Sequence, residues 1–253
     1  MIILGPARFK PVAKRISPTQ KNHQPLLSLR TVWIAVQITA QEAKDLEAQT
    51  VRQADSALWH EARKFRLTAS NFHKIVKRQK EVTEKFVTSL MYPTPFSAPQ
   101  TDYGKAHEKL AKKEYSQKKP SVHVHDCGFV VNPQFTFLGA SPDGKVCCEA
   151  GALEIKCPYS ARDKTIKEAV EKVNNFCLME RQDEICLEPD HDYMYQVQGQ
   201  LMITGAPFCE FAVYTKKDMH IQQSLPHEKF EHHMRNKLSA FYKIHILPNV
   251  TAH

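Results

Sequence analysis

Apolar positions along the chain fall into two periods. From Gln41 to Phe65, Leu46, Val51, Leu58 and Ala62 recur at roughly helical intervals among Ala, Glu, Gln and Arg, which predicts one long helix or two. Asn71 to Lys77 reads as a further helix with Ser70 in its N-cap position. Pro93, Pro95 and Pro99 make Met91 to Gln100 a loop, and a helix with a lysine-rich face then runs from about Tyr103 to Ser116. Val122, Val124 and Phe129 to Val131 predict a strand or hairpin, and Phe135 to Leu138 another. Two short strands follow, Lys145 to Glu149 and Ala152 to Cys157, joined by a turn at Glu149, Ala150 and Gly151. Beyond them come a helix from Lys164 to Lys172, a less regular section around Asn174 and Glu188, and a helix from Tyr193 to Thr204. Strands at Phe208 to Tyr214 and His220 to Leu225 and an amphipathic helix from Glu228 to Lys243 close the pattern. This order predicts an α/β protein with a mixed central sheet flanked by helices.

Residues 1 to about 28 mix Pro, Lys, Gln and Ser without periodicity, and Thr31 to Thr39 is a short β-rich run. The expected division is an N-terminal extension, 1–40, and one domain, 41–253, since 253 residues suit a single sizeable core at ~100–200 residues per domain. The apolar start ends at Gly5-Pro6, too soon for a signal peptide, and no apolar run approaches the ~20 residues of a membrane span. Seven cysteines, an odd number without a C-x-x-C pair, argue against a disulfide framework and for a reducing compartment. The expectation is an intracellular protein, nuclear or cytoplasmic, neither secreted nor membrane-bound; Lys10 to Arg15 could serve as a nuclear address. A net charge of +8 and a pI near 9.0 suit a polyanionic partner.

Chemistry concentrates in GASPDGKVCCEAGALEIKCPYS, Gly139 to Ser160. A hairpin there folds Asp143 back towards the far strand. Glu154 and Lys156, two apart, share one face of that strand, while Ile155 points the other way. Two carboxylates and an ammonium therefore converge. Hard cations such as Mg²⁺, or Mn²⁺ in its place, take carboxylate oxygens plus substrate phosphate, and a lysine can orient or deprotonate an attacking water. His123 and His125 share a strand face near Cys127 but lack the second close ligand pair of a zinc site.

SPDG followed by LEIKCP resembles the PD-(D/E)xK signature of the YqaJ viral recombinase family, the lambda-exonuclease-like nucleases. Further segments fit in the family's order between about Trp59 and Thr215. Trp59 and Arg63 followed by Leu67-Thr68-Ala69-Ser70 resemble the opening motif, which implies that Arg63 and Ser70 contact a 5′-phosphate, with Arg66 a weaker candidate. Gly104-x-x-x-Glu108 resembles the helix that gives the metal site a third acid, and Tyr195-x-x-Gln198 the helix whose Tyr and Gln lie beside the active centre. The resemblance implies a restriction-endonuclease-like core. Asp143, Glu154, the Ile155 backbone carbonyl and Glu108 would bind metal, with Lys156 positioning water. The implied activity is a Mg²⁺-dependent 5′-to-3′ exonuclease acting on double-stranded DNA ends in recombination or repair, as a homo-oligomer of ring-trimer type. Two alternatives from other classes stay open: a nuclease-like module that binds nucleic acid without cutting, and a zinc-stabilised structural protein.

Overall fold

The computed structural model describes residues 36–93, 98–147 and 150–249. The expected extension therefore lies mostly outside the described residues, as do the turn residues Cys148 and Glu149. Of Thr31 to Thr39 only the last four are described, and they form no strand.

The expected first helix is broken in two. Helix α1, Ala40–Gln49, opens with a capping box in which Thr39 and Glu42 satisfy each other's backbone N–H groups. Thr50, Val51 and Arg52 turn the chain into a short 3₁₀ segment at Gln53–Asp55, and α2, Ala57–Arg63, restarts behind Ser56 as cap. Gly128 sits so close to α1 that a Cβ there would meet the Glu47 carbonyl oxygen at 1.9 Å, so the absence of a side chain lets helix and loop touch. The Thr50 hydroxyl then accepts from the Phe129 N–H at 2.8 Å.

Strand β1, Leu67–Thr68, follows a turn in which Phe65 takes a left-handed conformation, φ 62°. The Tyr242 hydroxyl, far along the chain, donates to the Phe65 carbonyl at 2.9 Å. Helix α3, Phe72–Val76, begins two residues after Ser70, because Ala69–Asn71 forms a 3₁₀ turn. Ser70 is therefore not its N-cap; it is exposed, its hydroxyl 3.3 Å from that of Thr68. A helix not expected from the sequence, α4, Glu84–Met91, precedes the loop, and α5, Pro99–Lys118, begins on its proline.

The central sheet has the order β2-β4-β5-β8-β9. Its strands are β2 (Val124–His125), β4 (Gly144–Val146), β5 (Gly151–Lys156), β8 (Cys209–Tyr214) and β9 (Met219–Ser224). The β5–β8 pair is parallel and the other pairs antiparallel, so the sheet is mixed. The expected strand near Phe135 reduces to β3, Leu138–Gly139, paired in parallel with β1, and Phe129 to Val131 contributes a single bridge from Val130 to Ala140. The irregular section contains a hairpin, β6 (Leu178–Arg181) with β7 (Glu184–Leu187), behind helix α6, Ile166–Lys172.

Apolar burial orders these parts into layers. Leu153, Ile155, Ala212 and Tyr214 pack one sheet face onto Ala111 and Tyr115 of α5. Ala152, Cys209, Phe211 and Val213 pack the other face onto α6 and onto Val197 and Leu201 of α7, Asp192–Thr204. Met202 and Ile203 of α7 face a further layer made by α3, α4 and α8, Glu228–Phe241. Helix α7 is thus buried on two sides, with the sheet's charged strand beneath it. Among the described residues no helix is long and apolar enough to cross a membrane.

Candidate active site

The hairpin geometry carries the acids as its sequence requires. The Asp143 N–H donates to the Leu153 carbonyl at 2.9 Å, and the Asp143 carboxylate accepts the Ile155 N–H at 2.7 Å. Asp143 is thereby fixed against β5 from the strand-start side. Glu154 and Lys156 lie on the β5 face opposite Leu153 and Ile155, under α7. Glu154 is 1% exposed. Its Oε1 accepts from the Lys156 ammonium and the Gln196 amide, each at 2.5 Å, and its Oε2 from the Gln200 amide at 2.5 Å. The Lys156 Nζ also stands 4.7 Å from the Tyr193 ring centroid.

Burial pushes the Asp143 carboxyl well above the usual carboxylate range; the Glu154 and Glu108 charges push the same way, against Lys156 and the Ile155 N–H. For Lys156, burial alone would favour the neutral amine, but Glu154, Tyr193 and Asp143 outweigh it and hold the ammonium above the ordinary lysine range. In this arrangement Lys156 is held as a cation beside Glu154, suited to donating hydrogen bonds. Glu108 lies on α5 three and seven residues before the buried Ala111 and Tyr115, on the face turned to the sheet, and its charge is felt at both Asp143 and Cys157. Burial raises the Cys157 thiol to about 12, so it stays protonated beside these acids.

The donor set is entirely oxygen, and the burial and carboxylate repulsion that raise the Asp143 carboxyl would be relieved by a hard divalent cation. Among the described residues no group of three or more His, Cys, Asp or Glu side chains is gathered tightly enough to hold a metal ion, so a cation here would complete its shell with backbone, water or phosphate oxygens. The zinc candidates are dispersed: Cys127 is buried with its thiol 3.6 Å from Glu47 Oε1, and His123 and His125 are exposed.

The turn before Asp143 is held from α1–α2. Trp59 Nε1 donates to the Ser141 hydroxyl at 2.9 Å, and the Gln53 amide bridges the Cys127 and Pro142 carbonyls at 2.8 Å each, with Gln53 itself at φ 45°. Arg63 stacks over the Trp59 ring at 3.9 Å and has no acidic partner among the described residues. Burial lowers its guanidinium to about 10, still a cation at neutral pH. Arg63 is thus one aromatic ring from the Ser141-Pro142-Asp143 turn. Arg66 is different in kind: it is buried, and its three donor positions are used by the carbonyls of Val36, Ala62 and Thr136, so it is a structural residue and no ligand contact.

The helix α7 residues require a correction of register. Gln198 is 3% exposed; it donates to the Leu225 carbonyl and accepts from the His227 N–H, both at 2.9 Å, and so ties down the loop before α8. Tyr195 packs on Phe230 at 5.0 Å. Neither reaches the acids. The pair that does is Tyr193 and Gln196, and YMYQVQGQ contains both Y-x-x-Q readings, offset by two residues. Two residues turn a helix by about 200°, so only one reading can face β5. The four-residue spacing of Gln196 and Gln200, polar positions aligned on one face of an otherwise buried helix, was the available signal. At Gly199 a Cβ would meet Phe72 Cδ2 at 2.6 Å; the glycine lets α7 lie against the segment carrying Ser70.

A family model described as YqaJ-like viral recombinase domain matches residues 58–207. A comparison with curated protein sequences finds no match. Among solved structures the chain is similar to an alkaline exonuclease, LHK-Exo, from Laribacter hongkongensis, with 21% identity, 77% of this chain and 94% of that chain covered, and a TM-score of 0.60. It is also similar to SOX in a SOX–DNA complex, with 15% identity, coverage of 85% and 74%, and a TM-score of 0.56. For SOX in the KSHV SOX–RNA complex the identity is 13%, the coverage 85% and 77%, and the TM-score 0.53.

Proposed function

The chain belongs to the YqaJ-like viral recombinase domain family, and on that premise we propose that it is a divalent-cation-dependent deoxyribonuclease that degrades DNA from ends in the 5′-to-3′ direction during recombination or repair. The observation that carries the proposal is the pairing of Asp143 and Glu154 across one hairpin, enclosed, with the Lys156 ammonium beside them. Asp143, Glu154 and the Ile155 carbonyl are the groups that would hold Mg²⁺, or Mn²⁺ in its place, and Glu108, not gathered tightly with them, would add its charge to the site. A cation held there supplies Lewis-acid neutralisation of charge on a scissile phosphate.

The chain's own residues account for the rest. Lys156, held as a cation by Glu154, Tyr193 and Asp143, positions the attacking water and donates to the phosphoryl oxygens on which charge develops. Gln196 and Gln200 hold the Glu154 carboxylate in one orientation. Arg63, flat against Trp59 and without an acidic partner among the described residues, takes a terminal 5′-phosphate, with the Ser70 hydroxyl as second donor. A cleft of about 380 Å³ is lined by His73, Lys74, Lys77, Arg78 and Lys80 and by Asp192, which pairs with His73 and Lys77; its excess of cations suits the backbone of a polyanion. The similarity in fold to an alkaline exonuclease and to SOX bound to DNA and RNA supports nucleic acid as the ligand. We place the domain at 41–253, because Gln53 and Thr50, upstream of the family match, are bonded into the walls of the site.

The test is incubation of end-labelled linear and closed circular DNA, and of RNA of the same sequence, with Mg²⁺ or with EDTA. Loss of linear DNA alone, with Mg²⁺ alone, is expected. Equal cutting of circles refutes the exonuclease. The engagement of both Glu154 oxygens by protein donors favours a second reading, a module that binds nucleic acid without cutting; retained binding with every substrate intact would establish it.

A further inference from the structure

The two oxygens of Glu154 are held unequally. Oε1 has two donors, Lys156 and Gln196, whereas among the described residues Oε2 has one, the Gln200 amide at 2.5 Å. Gln200 is 1% exposed and lies mid-helix, between Gly199, pressed on Phe72, and Leu201, packed on the sheet. Its side chain has nowhere else to go. An amide can turn either its NH₂ or its oxygen towards a neighbour, and a buried carboxylate tolerates only the NH₂. The choice is reinforced from the other side: burial keeps the Cys209 thiol protonated, and its Sγ lies 3.8 Å from Gln200 Oε1 and 3.8 Å from the Glu210 carbonyl oxygen, so its one hydrogen is shared between these two acceptors. Cys209 is itself placed by the sheet, since β5 and β8 pair Ala152 with Cys209 and put its side chain on the Glu154 face. A line of hydrogen bonds thus runs from the Cys209 thiol through the Gln200 amide to Oε2.

We propose that Gln200, oriented by Cys209, is a positioning residue that fixes the direction of the Glu154 carboxylate and so sets the affinity of the site for a divalent cation. The inference rests on the reading of Glu154 as a metal ligand. Without Gln200 the carboxylate is restrained through Oε1 alone and its plane can swing more widely about the last torsion, so a cation must reorder it as it binds. Partners of this kind behind a metal ligand typically change metal affinity ~10–100-fold.

The experiment is a calorimetric titration of Mn²⁺ into metal-free full-length protein, for wild type and Gln200→Met, which keeps length and volume and removes the donor. The expected result is Mn²⁺ binding by wild type and at least ~10-fold weaker binding by Gln200→Met. Its turnover should recover at saturating Mn²⁺, because the ligand itself is intact; a residue needed only for packing would shift melting temperature and leave the metal titration alone. Unchanged Mn²⁺ affinity in folded Gln200→Met overturns the inference and leaves the nuclease reading standing. Absence of Mn²⁺ binding by wild type overturns the metal-site reading and this inference with it. Should Gln200→Met fail to fold, Cys209→Ala carries the test: it keeps the amide and removes the group that orients it. Several-fold weaker Mn²⁺ binding is then expected, and unaltered binding overturns the inference.

Discussion

Replacing Asp143 by Asn should make the metal-free protein more stable while destroying its cutting. The carboxyl of Asp143 is enclosed, repelled by Glu154 and Glu108, and attracted by Lys156, with the balance in favour of the protonated form. Its folded pKa lies above the unfolded value, so the folded state binds more protons than the unfolded state between the two. Stability from this group is full below the ordinary carboxylate range and is lost as pH rises through the folded pKa. Asn does not titrate and escapes that loss. It also keeps the bond from the Ile155 N–H, which is 2.7 Å long in the wild type. An inadequately compensated buried polar group costs ~1–3 kcal/mol, and the weaker neutral hydrogen bond gives back ~1 kcal/mol, leaving a net gain of roughly 1–2 kcal/mol at pH 8 to 9. At ~2–4 °C per kcal/mol for a chain of this size, the melting temperature in EDTA should rise by roughly 2–8 °C. Thermal melts in EDTA from pH 5 to 9 check this, with the difference growing as pH rises. Mn²⁺ should then stabilise the wild type and not the variant. An Asp143→Asn protein that melts below wild type at pH 9, or in parallel with it across the series, refutes the argument.

Lys156→Met should retain Mn²⁺ binding and lose at least ~10²-fold in cleavage rate, the lower range for a group acting on the attacking water; a rate near wild type in single-turnover cleavage would refute that role. Arg63→Ala should erase most of the preference for 5′-phosphorylated over 5′-hydroxyl ends, ~10-fold or more given the ~1.5–3 kcal/mol of a charged hydrogen bond, read from paired degradation assays. Gln196→Ala should impair cleavage, whereas Gln198→Ala should chiefly lower stability, by ~1–3 kcal/mol for two buried bonds left unpaired; the reverse pattern would restore the other register of α7. Binding to duplex DNA in EDTA should weaken with salt at a slope of about −0.9 per neutralised phosphate, and Lys74→Glu with Lys80→Glu should flatten it.

Asp143, Glu154 and Lys156 were legible because strand alternation and a short hairpin are local rules, and both hold in the fold. The mixed sheet was legible from the order of periodic segments. The helix from Glu84 to Met91 and the hairpin Leu178–Leu187 were not, since their apolar residues are spaced to pack on distant partners such as Phe241 and Val170. The register of α7 escaped because two equal motifs overlap, and only contact with β5 chooses between them. Gln53 and Trp59 act by bonds to residues 74 to 89 positions away; the motif around Trp59 marks the residue but not its bond to Ser141, and nothing in the sequence near Gln53 announces it. Ser70 was misplaced as a cap because a 3₁₀ turn intervened, a difference of two residues that propensity does not resolve.

The bond from Tyr242 to the Phe65 carbonyl spans 177 residues and fastens the left-handed turn that separates Arg63 from β1. Synthesis proceeds from the N-terminus, so the turn cannot be fastened until Tyr242 has left the ribosome. By then the acidic hairpin and helix α7 have already emerged. The turn between Arg63 and β1 is therefore completed after the hairpin that carries Asp143 and Glu154. The moment at which Arg63 is held in its final place is thus set by one tyrosine near the far end of the fold.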